Sequence, residues 1–245
     1  MRSLFWSKAN CTALGLTCAL SASGVLLAFA GAADETYSPV APAAAIDASL
    51  RSNLRLVQDW LNDRDLASAA EAAEGLSVLA RAYQYQSAST DWRDRTGRLC
   101  EQCSKLVDLA KRKDAAGCAA AVQQCSTLID ELRQNLPVEE KAVAKVFKPP
   151  GSTKALMKLM DGTYADAKSS KRADELAQLA YTLAEVANIA QHLRREAAWH
   201  QAAVETREAA LQVAKQVDGN NLDAARAGLK NVRQRCEACH QTFKR

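Results

Sequence analysis

The sequence is poor in aromatic residues and has only three histidines. Phe, Trp and Tyr together make up 5% of the 245 residues, whereas alanine is abundant. This balance favours helices of small, efficient helix formers over a sheet, which would be built from Val, Ile and Tyr. We therefore predict an all-α protein, and the length suits one or two domains.

The sequence also lacks a strong excess of charge of either sign. Lysine and arginine number 32 against 28 acidic residues, which gives a net charge of +4. The basic runs are short and fall where we place helix ends and loops, so solvated turns explain them. Such a weak positive field excludes a typical nucleic-acid-binding protein, and we expect no nucleic acid among the partners.

The N-terminal segment is a long stretch without acidic residues. Arg2 and Lys8 precede the uncharged residues 13–30, and small residues then offer the pattern that a signal peptidase recognises. We predict a signal peptide over residues 1–32, followed by a leader over residues 33–45. Cleavage would place the protein in the periplasm or otherwise outside the cytoplasm, without stable membrane insertion. The alternative is a retained membrane anchor, because the run is near the lower limit for spanning a bilayer.

The rest of the chain reads as two similar halves. Prolines interrupt the helical pattern in residues 135–152, which we predict to be a linker between residues 46–134 and residues 153–245. The halves can be aligned with Trp92 on Trp199, and four extra residues in the second half then bring Cys125 onto Cys236. Each half has four helical stretches with short connections, so we predict two tandem antiparallel four-helix bundles.

The pentapeptide Cys236-Glu237-Ala238-Cys239-His240 carries the clearest chemistry. Both cysteines continue the apolar stripe of the last helix, so we expect them to point into the bundle, with His240 beside them. C-x-x-C-H is the attachment signature of c-type haem, in which the thiols form thioethers and the histidine binds the iron. The alternatives are a thioredoxin-like redox pair, which would be expected near a βαβ pattern, and half a zinc site. We predict one covalent haem c per chain.

The second half resembles the cytochrome c′ family, including its Met-ligated, low-spin members. The resemblance rests on "CEACHQTFKR" in the last helix, on Trp199 at the start of the third, and on "KALMKLM" in the first. It covers residues 153–245 well and residues 46–134 only in outline. The resemblance implies a four-helix bundle with Met157 as the sixth iron ligand, while topology alone places Met160 almost as well.

Other readings of these side chains stay open at this point. Both methionines could fill the core, because flexible thioethers often do so. Trp199 either packs against the haem or belongs to the core. His192 and His200 share the same predicted end of the bundle, as surface residues or as ligands.

Together with the predicted signal peptide, the resemblance implies an exported electron carrier rather than an enzyme, with a redox partner protein of unknown identity. The alternative is binding of a small diatomic gas, such as nitric oxide, at a five-coordinate haem. A peroxidase would need distal acid–base groups, which the sequence does not place. A homodimer is compatible with the sequence.

The first half lacks the motif. The alignment puts Cys125 at the place of Cys236, but no second cysteine or histidine follows, so we predict a degenerate bundle without haem. Counting outward from a turn near Lys113, Cys103 and Cys125 stand at similar heights on neighbouring helices. We predict a Cys103–Cys125 disulfide. Cys100 is the alternative partner of Cys125, and four unbridged thiols or a metal site are the other readings.

Overall fold

Eight α-helices form most of the part of the chain that the computed structural model describes, residues 36–138 and 141–243. The all-α prediction is confirmed. The predicted signal peptide lies outside the described residues. Among the described helices we find none that combines the length and hydropathy of a membrane-spanning segment. In chain order the helices are α1 Ala43–Asn62, α2 Leu66–Gln84, α3 Thr90–Lys111, α4 Ala115–Arg133, α5 Thr153–Ser169, α6 Ala173–Ala190, α7 Ala197–Asp218 and α8 Leu222–Phe243.

Helices α1–α4, here called the first group, contact one another in a closed ring in which α1 also touches α4. In α5–α8, the second group, each helix packs on the next, but α5 and α8 make at most marginal contact. The second group is therefore open between α5 and α8. The two groups contact each other through α1 with α6 and through α2 with α5 and α6.

The same three-residue turn follows α3 and α7. Lys113 and Asn220 each take a left-handed conformation, with φ of 61° and 59°. The next residue, Asp114 or Asn221, donates its N–H to a carbonyl five residues earlier. Its side chain then caps the following helix by accepting from the N–H three residues later.

These matching turns correct the alignment of the two halves. Because the turns have equal length, the register that sets Trp92 on Trp199 continues into α4 and α8 with no insertion. Cys125 then matches Val232, and Cys236 matches Ile129. The prediction of four extra residues in the second half is therefore wrong. It shifted the alignment of α4 on α8 by about one helical turn.

A buried carboxylate fixes the segment before α1 on α6. Glu185 is fully buried and accepts hydrogen bonds from the Tyr37 hydroxyl at 2.8 Å and from the N–H groups of Val40 and Ala41 at 2.7 and 2.9 Å. Tyr37 also pairs through its backbone with Ala144 of the linker. The N-terminal segment, the linker and α6 are thereby held together.

Candidate haem site

Helix α8 places both motif cysteines on one face. Ala225, Leu229 and Val232 are buried on this face, and Cys236 and Cys239 continue it as half-buried residues. Their partial exposure differs from the closed interior expected from the sequence. The reason is that α5 does not cover this end of α8, so the face opens into a cleft.

The cleft brings the predicted site residues together from opposite sides of the second group. It lies between α5, α6, α7 and α8, and its free volume is small, about 30 Å³. Cys236, Cys239 and His240 line it from α8, and Met157 and Met160 line it from α5. The remaining lining residues are Asp161, Ala187, Ala190, Trp199, Ala202, Ala203 and Thr206.

Small side chains form the α6–α7 wall of the cleft. The alanines at positions 187, 190, 202 and 203 form this wall, so little side-chain volume separates the thiols from α6 and α7. Trp199 closes one end of the wall. Its indole N–H donates to the carbonyl of Ala190 at 2.7 Å, and its ring meets Phe243 edge to face at 5.2 Å between centroids.

The thiols of the cleft are kept uncharged. Burial, helped by the nearby Asp161 carboxylate, raises the pKa of the Cys236 thiol to about 11. Burial also raises the pKa of Cys239, although the Arg194 guanidinium opposes the shift. A thioredoxin-like pair requires a lowered thiol pKa, because the thiolate is the nucleophile. The electrostatics therefore disfavour the redox-pair reading of this motif.

Arg194 lies at the rim of the cleft. Its guanidinium carbon is 4.5 Å from the Trp199 ring centroid and 6.0 Å from that of Phe243, a cation–π arrangement on two rings. From the sequence, Arg194 was expected either near the haem or in solvent, whereas Asp161 and the alanine wall were not included in the site. Asp161 could have been found, because it lies one helical turn after Met157 on the same face.

The two other histidines are not among the residues that line the cleft. His192 lies instead against the rings of Tyr37 and Phe147, at centroid distances of 5.8 and 5.4 Å. His200 is half-buried at the start of α7. Met157 and Met160 are therefore the better placed candidates for a ligand opposite His240.

The first group has large side chains where the second group has its cleft. Trp92 donates its indole N–H to Tyr83, nine residues earlier, just as Trp199 donates to Ala190. Tyr83 thus matches Ala190, and its fully buried ring packs edge to face on Trp92. In the corrected register the matches of Cys236, Cys239 and His240 are Ile129, Leu132 and Arg133. The first two are buried core residues.

The cysteines of the first group lie deeper in the core than those of the cleft. Cys103 and Cys125 are fully buried neighbours, and both are free thiols in this structure. They match Ala210 and Val232 of the second group. The alternative partner Cys100 is half-buried, and Cys118 is buried. The contact between Cys103 and Cys125 is compatible with the predicted disulfide, which remains a prediction.

Comparisons with protein-family models, with curated proteins and with solved structures found no match to this chain. The chemistry of the cleft is therefore assigned from its own side chains. Within residues 36–138 and 141–243, no group of three or more His, Cys, Asp and Glu side chains is arranged to hold a metal ion directly. The zinc reading of the cysteine pair thus finds no support among these side chains.

Proposed function

We propose that this chain is an exported c-type cytochrome that carries one covalent haem and transfers single electrons. In this proposal the second group is a cytochrome c′-like four-helix bundle, and the first group is a degenerate copy without haem. The proposal rests on one observation above all. Two neutral thiols and a histidine from α8 face two methionine thioethers from α5 across an apolar cleft.

The side chains of the cleft fit a haem. Cys236 and Cys239 share one face of α8, so both could hold the group through thioethers, and His240 would bind the iron from the same helix. The haem would supply the ferric–ferrous couple. The alanine wall and Trp199 would exclude water from its faces.

Met157 is the proposed sixth ligand. Met160 is almost fully buried and belongs to the apolar core shared with the first group, so packing already uses its side chain. Met157 is only half-buried and lies at the edge of that core. A thioether ligand stabilises ferrous iron and raises the reduction potential, which suits an electron carrier.

Binding of a small diatomic gas is the second candidate. The alanine wall supports it, because an apolar wall of small side chains would admit a small ligand if Met157 did not bind the iron. The two functions differ in iron coordination. Met ligation predicts six-coordinate, low-spin ferric haem, whereas gas binding predicts five-coordinate haem with an open sixth position.

Extraction with acidified organic solvent tests the covalent haem. One haem per chain should remain with the polypeptide of protein produced with a c-type maturation system. The double variant Cys236→Ser, Cys239→Ser should release all haem into the solvent. Full retention of haem by this variant would place the attachment elsewhere. Cys118→Ser, in the first group, is the matched control and should keep its haem.

Absorption spectra of ferric protein test the sixth ligand. Met157→Leu should convert low-spin haem to high-spin haem, whereas Met160→Leu, one turn away, should leave the haem low-spin. A high-spin wild-type protein would instead favour gas binding. Conversion by Met160→Leu alone would move the ligand to Met160.

A further inference from the structure

Helix α5, which carries Met157 and Met160, is held mainly by helices other than α8. It packs on α6 and on α2 of the first group, while its contact with α8 is marginal at most. In a closed four-helix ring, α8 would be its second neighbour. Helix α2 has taken over that supporting role.

The contact between α5 and the first group has an apolar centre. Leu156, Leu159 and Met160 belong to the same buried cluster as the core of the first group. Gly75 of α2 lies directly under this contact. A Cβ at position 75 would stand 3.7 Å from Cβ and Cδ1 of Leu159 and from Oδ1 of Asn53, so an alanine would fit there but a larger side chain would not.

Polar groups fix the start of α5 on the same helix. Glu71 of α2 pairs with Lys154 at 2.5 Å and also with Lys158. Glu74 accepts from the hydroxyl of Ser152 at 2.8 Å, and the same hydroxyl caps α5 by accepting from the N–H of Ala155. Exposed ion pairs contribute little individually, so we assign most of the holding force to the apolar contact.

We propose that the first group acts as a scaffold that holds α5 at the cleft and so sets the position of its methionines. One side of α5 presents Leu156 and Leu159 to the first group, while Met157 and Asp161 line the cleft. A displacement of α5 at α2 would therefore move Met157 relative to α8. The part of this inference that concerns iron ligation rests on the proposed function.

A wedge at position 75 tests the scaffold. Gly75→Leu should push Leu159 and α5 away and also press on Asn53 of α1, whereas Gly75→Ala fits at ordinary contact distance. Gly162→Leu is a second control, because a Cβ at position 162 of α5 meets nothing within 4 Å. In the haem-free full chain, amide hydrogen exchange of α5 should accelerate about tenfold or more in Gly75→Leu and in neither control.

The haem-loaded protein provides a second readout. Gly75→Leu should lower the low-spin fraction of ferric haem, while both controls keep the wild-type spectrum. Faster α5 exchange in a protein whose wild-type haem is five-coordinate would uphold the scaffold and reject the Met157 ligand. Failure of one proposal is thus distinguishable from failure of the other.

Unchanged α5 exchange in Gly75→Leu would overturn the scaffold. If the wedge also exposes the amides of α1, α3 and α4, the first group itself is disrupted. The test then uses Leu159→Ala in place of Gly75→Leu, because this change removes the contact from the α5 side. Accelerated exchange confined to α5 in Leu159→Ala supports the scaffold, and unchanged exchange rejects it.

Discussion

The two helix groups share a plan, but one is filled where the other is open. Each has a tryptophan at the start of its third helix that donates to a carbonyl nine residues earlier. At that carbonyl's residue the first group has Tyr83 and the second has Ala190. In the last helix, the first group has Ile129 and Leu132 where the second has Cys236 and Cys239. Few substitutions therefore separate the solid core of the first group from the alanine-lined cleft of the second.

The difference is one of side-chain volume at equivalent positions of the two groups. Protein interiors are close-packed, so a site for a large group has to be created by removing side-chain volume. The second group has less side-chain volume there, because alanines line α6 and α7 and because α5 and α8 make at most marginal contact. The support that α5 loses there is supplied by α2 of the first group.

The largest effect is expected when a large core side chain of the first group is placed at the equivalent position of the second group. Ala190→Tyr copies Tyr83 and puts a phenol into the cleft, so the haem content of the protein should fall about tenfold or more. The measurement is haem per chain by a denaturing haemochrome assay. Ala227→Tyr, at an exposed position of α8, is the control and should keep its haem. Full haem content in Ala190→Tyr would show that the cleft is not the haem site.

The next effect concerns the cysteines that only the first group has in its core. A Cys103–Cys125 disulfide closes a loop of about 22 residues and should stabilise the oxidised protein by roughly 3 kcal/mol over the reduced protein in the chain-entropy model. Urea unfolding with and without reductant measures this difference. The variant Cys103→Ala, Cys125→Val copies Ala210 and Val232 and should lose the response to reductant.

Cys118→Ala should keep the response to reductant, because Cys118 has no part in the predicted bridge. Peptide mapping under non-reducing conditions identifies the bridged pair directly. If all four thiols of the first group prove free, the disulfide prediction is wrong.

A third effect concerns the pH dependence of stability. It comes from Glu185 of α6, whose equivalent in α2 is the uncharged Val78. Burial raises the pKa of Glu185 above its ordinary value of 4.5, so the folded chain holds this proton more tightly than the unfolded chain. The stabilising contribution is complete below pH 4.5 and declines as pH rises toward the folded-state pKa. Each unit of elevation corresponds to about 1.4 kcal/mol.

The pH dependence is measured against Glu185→Gln, which does not titrate. The free energy of unfolding of the wild type, minus that of the variant, should decrease as pH rises above 4.5. A difference that stays constant or increases with pH would show that Glu185 is not destabilised in its charged form.

The smallest expected effect tests the match of the two tryptophans. Trp92→Phe and Trp199→Phe each remove one buried indole hydrogen bond, of 2.9 and 2.7 Å respectively. Each loss should cost about 1–2 kcal/mol of unfolding free energy in the haem-free chain. Costs that differ by much more than about 1 kcal/mol would argue against equivalent roles.

The sequence by itself determined the helical class and the residues of the motif. Both depend on local patterns, because side chains three and four positions apart share one face of a helix. The spacing of Cys236, Cys239 and the apolar residues before them therefore predicted which face of α8 carries the thiols. Short connections between helices predicted in the same way that Met157 and the motif lie at one end of the second group.

Only the tertiary structure decided how the two halves correspond and what supports α5. A shift of four residues is close to one helical turn, so it leaves every apolar stripe on the same face and the sequence pattern cannot detect it. The hydrogen bonds of the turns at Lys113 and Asn220 resolve that ambiguity. The contact of Leu159 with Gly75 joins residues that are far apart in the chain, and no local pattern encodes such a contact.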